Sequence, residues 1–77
     1  MAKMVKINIG TSFDTEETVF NAETTTVEAA FRSAGVSISN AIITHNSKRV
    51  NDPNLTLDQL NMRDGDLLTA NTKTVGA

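Results

Sequence analysis

Hydrophobic and polar residues alternate strictly near the start of this chain. Val5, Ile7 and Ile9 are separated by Lys6 and Asn8. This two-residue period predicts a strand over residues 4–9 with one buried face. Gly10-Thr11-Ser12 breaks the pattern, and a second β-rich stretch follows, Glu17-Thr18-Val19-Phe20-Asn21-Ala22. So short a break predicts an antiparallel hairpin, although no Asn-Gly or Asp-Gly marks its turn type. The period then lengthens. Val27, Ala30, Phe31 and Ala34 recur at i, i+3, i+4 and i+7, one face of a helix over residues 26–34. Thr25 and Glu28 have capping-box spacing at its start, and Gly35 can close it in the left-handed conformation. A helix this short does not stand alone in water, so it must pack on a sheet.

Downstream, Ala41-Ile42-Ile43-Thr44-His45 reads as a third strand, Asn46-Ser47 as a turn and Lys48-Arg49-Val50 as a short return. Four turn formers, Asn51-Asp52-Pro53-Asn54, make a loop. Thr56-Leu57-Asp58-Gln59-Leu60 has the look of one helical turn, with Leu57, Leu60 and Met62 offered to the core. Arg63-Asp64-Gly65-Asp66 turns the chain again. In the last strand Leu68 and Ala70 alternate with Leu67, Thr69 and Asn71. A hairpin, a crossing helix and later strands form one layer around that helix. The expected fold is therefore α+β: a mixed sheet of four to five strands packed on one helix, with the first and last strands parallel at its centre. This is the β-grasp architecture.

Composition narrows the chemistry. A chain of 77 residues is one domain. We place that domain at residues 1–71 and a flexible C-terminal tail at 72–77. With no cysteine, thiolate catalysis, disulfides and cysteine-ligated metals are excluded. The N-terminus lacks the apolar run of a signal peptide. No stretch nears the roughly 20 apolar residues that span a bilayer. The expected setting is cytoplasmic, with no membrane partner. The net charge is −2, and only Lys48 and Arg49 are adjacent cations. Nucleic acid calls for concentrated positive charge and stacking aromatics; here there are three phenylalanines and no tyrosine or tryptophan, which argues against it.

Several segments resemble the ubiquitin-like β-grasp proteins. Thr26-Val27-Glu28-Ala29-Ala30-Phe31 looks like the helix start that follows the hairpin there. Lys48-Arg49-Val50, then Thr56-Leu57-Asp58-Gln59-Leu60-Asn61-Met62, is similar to a segment of ubiquitin, with one loop residue more between them. Gly65-Asp66 before a hydrophobic strand and a short tail looks like the bacterial sulfur carriers of thiamine and molybdopterin biosynthesis. The resemblance implies a protein that is not an enzyme and holds no cofactor. It acts as a modifier or sulfur carrier through a C-terminal carboxylate activated on ATP. Its protein partners are then an activating enzyme or a target. Those families finish in Gly-Gly, and the matching positions here are Gly76 and Ala77, after Val75. The alternative is a non-covalent adaptor with an inert tail.

Other candidates carry less. His45 lacks the second histidine or cysteine of a zinc site, so it is expected as a surface or turn histidine. The resemblance puts Thr44, His45, Lys48 and Arg49 beside a strand face used for partners. In this chain Thr44 and His45 stand where apolar residues are usual. Asp14, Glu16, Glu17, Asp64 and Asp66 read as solvated turn carboxylates, without the further ligands of a calcium loop. Phe13, in the hairpin turn, either folds over the core or stands exposed.

Overall fold

The computed structural model describes residues 3–11 and 13–72. Strand β1 (Met4–Gly10) turns directly into β2 (Thr15–Asn21). The pair is antiparallel from Met4↔Asn21 to Gly10↔Thr15. The turn is closed by Thr11 N donating to the Asp14 carbonyl at 2.9 Å and Asp14 N donating to the Thr11 carbonyl at 3.3 Å. β2 therefore begins two residues before the predicted Glu17, because the ladder continues up to the turn. Gly10 permits this. A Cβ at that position would lie 2.2 Å from the Asp14 carbonyl oxygen and 2.9 Å from the Thr15 Cα.

Helix α1 (Val27–Ser33) buries Val27, Ala30 and Phe31. Its cap is Thr26 and not Thr25: Thr26 is extended, and its side chain accepts from Ala29 N at 3.1 Å. Thr25 is already engaged, its amide with the Asn21 carbonyl and its carbonyl with the Leu57 amide. Glu28, freed from capping, pairs instead with Arg32 one turn on. At the other end, Gly35 N reaches the Arg32 carbonyl and Val36 N the Phe31 carbonyl. This paired closure needs a left-handed residue, and Gly35 supplies it with φ 76°. A reciprocal capping box does occur, but further on. Thr56 N donates to Gln59 Oε1 at 2.8 Å, and Gln59 N donates to Thr56 Oγ1 at 3.1 Å.

β3 (Ala41–His45), β4 (Lys48–Val50) and β5 (Leu67–Thr72) complete one five-stranded sheet in the order β2-β1-β5-β3-β4. β1 and β5 are parallel neighbours, as predicted, through Asn8↔Leu67, Ile9↔Leu68 and Gly10↔Thr69. β3 is antiparallel to both β5 and β4. One face of the sheet holds Val5, Ile7, Ile9, Phe20, Ile43, Val50, Leu68 and Ala70 against the helix, and Leu57 and Met62 close the core from the segment beyond β4. The predicted β-grasp is the observed architecture. No described helix is long and apolar enough to cross a membrane.

Candidate functional site

Strand alternation sorts the four predicted surface residues. Thr44 pairs with Arg49, and His45 pairs with Lys48. Ile43 and Val50 are buried on the helix side. His45 and Lys48 therefore share that side at its rim, while Thr44 and Arg49 face the opposite way. The structure thus gathers the four into two pairs on opposite faces of the sheet.

On the face away from the helix, Thr44 lies opposite Thr69 of β5, and their hydroxyl oxygens are 2.7 Å apart in a hydrogen bond. Thr69 is buried, and this bond satisfies its hydroxyl. The middle of that face is therefore a hydroxyl pair. Its exposed apolar side chains are Leu67 beside Asn8, and Met4 and Val19 towards the β2 edge; half-buried Ile42 lies opposite Asn71. Phe13, left open by the sequence, stands almost fully exposed at the hairpin tip.

On the helix side, His45 departs from its expectation. Its side chain is only 14% exposed, and Nε2 lies 2.8 Å from Asp66 Oδ2. The cause is register: β3 and β5 pair His45 with Leu68, which brings Asp66, just before β5, alongside the imidazole. Asp66 is likewise no merely solvated turn residue. It also accepts from Arg63 N at 3.0 Å. Asp64 Oδ1 accepts from Lys6 N at 2.9 Å, tying the same turn to β1. Asn46 completes the junction: its amide donates to the Leu67 carbonyl and its side-chain oxygen accepts from Leu67 N, both at 2.9 Å. Asn46 and Ser47 have φ of 50° and 74°, the left-handed pair of a tight two-residue hairpin loop. Two turns far apart in sequence are thus stitched together. They border an open cleft of about 320 Å³ lined by His45, Asn46, Lys48, Asn61, Arg63 and Asp66, with Leu60.

Burial pushes the Asp66 carboxyl up, but hydrogen bonds from His45, Asn46 and the Arg63 amide, with the nearby His45 charge, outweigh it and hold the pKa below its ordinary value. A carboxyl lowered on folding stabilises the protein above its unfolded pKa, and that stability is lost as pH falls through the folded value. Asp66→Asn should therefore cost about 1–2 kcal/mol at neutral pH. It should also flatten the loss of stability below about pH 4, the ordinary carboxylate range. Urea melts across the acid range check both points; parallel acid limbs in the two proteins would contradict them.

Among the described residues no group of three or more His, Cys, Asp or Glu side chains is placed to hold a metal. Val75, Gly76 and Ala77 lie outside the described residues. β5 carries the chain as far as Thr72, which pairs with Ala41.

No family model matches the sequence, and no curated protein matches it significantly. Solved structures do match in shape. A ubiquitin from Caldiarchaeum subterraneum is 22% identical with a TM-score of 0.70, over 97% of this chain and all of its own. The C-terminal ubiquitin-like domain of mouse tubulin-specific chaperone e is 14% identical with a TM-score of 0.74, over 99% of this chain and 93% of that domain. A ubiquitin-like protein from Trypanosoma brucei is 12% identical with a TM-score of 0.69, over 96% of this chain and all of its own.

Proposed function

We propose that this chain, which folds as a ubiquitin-like β-grasp, is a protein modifier or sulfur carrier and not an enzyme. In this reading Val75, Gly76 and Ala77 form the segment activated by an ATP-dependent activating enzyme in the cytoplasm. The observation that carries it is the correspondence in shape with an archaeal ubiquitin, covering 97% of this chain and 100% of that one. A carboxylate at Ala77, or at Gly76 after trimming, attacks the α-phosphorus of ATP. Pyrophosphate leaves and an acyl-adenylate forms. A sulfur or amine nucleophile then displaces AMP. The acyl group must enter a narrow nucleotide-bearing channel. Glycine suits that passage because it has no Cβ, and alanine adds a single methyl. Deleting residues 73–77 keeps the Thr72–Ala41 pairing. That deletion should abolish ATP–pyrophosphate exchange by the cognate activating enzyme while leaving the thermal melt unchanged. Exchange that persists would refute the reading.

The second reading is a non-covalent adaptor. It is favoured by the exposed Phe13 at the hairpin tip and by the outer position of β2, the end strand of the sheet among the described residues. The mouse neighbour is a ubiquitin-like domain within a chaperone chain, which fits such a role. An adaptor would keep its partner after the same deletion.

A further inference from the structure

We propose that the cleft between the β3–β4 turn and residues 60–66 is a docking site for the carboxylates of an acidic segment in a partner protein. This inference stands apart from the chemistry proposed for residues 75–77. Charge is the first argument. Among the described residues, ion pairs engage Lys3, Lys6, Arg32 and His45. Lys48 and Arg63, both exposed and both lining the cleft, are in none of them. The carboxylate within the cleft, Asp66, is occupied by His45 and the Arg63 amide. The walls therefore present two uncompensated cations in a protein whose overall charge is −2.

The second argument is construction. The Asn46–Leu67 bonds and the His45–Asp66 contact fix the two turns against each other, so both cations stand on walls that need little reordering on binding. Asn46 and Asn61 add amide groups, and partly buried Leu60 adds apolar surface. This mixture suits a peptide carrying carboxylates beside aliphatic side chains. A nucleic acid demands many phosphate contacts, and two cations beside the Asp66 carboxylate do not provide them.

The test is an amide NMR titration of the full chain with an acetylated, amidated peptide of alternating leucine and glutamate. The same peptide with glutamine for glutamate is the control. Saturable shifts centred on residues 46–48 and 60–63, weakened by salt, are expected. Lys48→Glu with Arg63→Glu should weaken binding by about tenfold or more, the scale of losing two charged contacts. Lys6→Glu, on the opposite face, should leave binding unchanged. Lys48→Gln with Arg63→Gln, expected to fold as the parent does, should weaken binding in the same direction. Equal binding of the glutamine peptide, shifts centred elsewhere, or stronger saturable shifts from inorganic phosphate would each overturn the proposal.

Discussion

Phe31→Ala will destabilise the domain by about 3–5 kcal/mol, the range for removing a large aromatic side chain from a packed core. Phe31 is the largest of the fully buried side chains. It sits on α1, where Val27 and Ala30 are its buried companions. No second layer of helices exists among the described residues to collapse into the space it would leave. A small domain has little in reserve: at 0.05–0.15 kcal/mol per residue, 77 residues hold roughly 4–12 kcal/mol. The loss thus takes much of the total, and the melting temperature should fall by on the order of 20 °C. A calorimetric or circular-dichroism melt reads this directly. A fall of only a few degrees would mean that the helix does not seal the sheet.

Gly10→Ala is the second large effect, and its origin is backbone crowding. The added Cβ would meet the Asp14 carbonyl oxygen at 2.2 Å and the Thr15 Cα at 2.9 Å. Both are main-chain atoms, so no side chain can rotate aside. Relief must come from parting β1 and β2 at Gly10↔Thr15 or from opening the Thr11–Asp14 turn. Gly10 also pairs with Thr69 of β5, so the disturbance reaches the parallel centre of the sheet. We expect a loss of about 2–3 kcal/mol, the upper range for forced overpacking. Faster hydrogen exchange should follow at the amides of residues 9–16. Gly35→Ala tests the attribution: nothing lies within 4 Å of its added Cβ, so its cost comes from positive φ alone and should be smaller. Equal costs at the two glycines would contradict the crowding argument.

The legible parts of the fold were those written in local period. Val5, Ile7 and Ile9 announced β1, and Val27, Ala30 and Phe31 announced the helix face. All six are buried. The helix starts one residue later than predicted, because the Thr25–Glu28 spacing points to Thr25 as the cap while the fold uses Thr26. The bond that sets them apart is long-range: the Thr25 carbonyl accepts from the Leu57 amide, and Thr26 is left to cap. The capping box at Thr56 and Gln59 carries the same signature as the one assigned at Thr25 and Glu28, and was readable from spacing alone.

The cleft was less legible. His45 and Asp66 are 21 residues apart, and only the β3–β5 register joins them. Strand alternation did hold one clue, since His45 shares its face with Ile43, so an inward-leaning histidine was predictable from period two. Its partner was not. The separation of Lys48 from Arg49 follows from the same rule, since residues 48–50 form a strand.

The most direct test of the central claim is intact-mass spectrometry of the full chain after incubation with its cognate activating enzyme and ATP. The expected product is an acyl-adenylate on the chain, or a thiocarboxylate when sulfide is added to displace AMP, mapped by fragmentation to residues 75–77 and lost when those residues are deleted. An unmodified mass for the full chain, with the enzyme active on a control substrate, would contradict it.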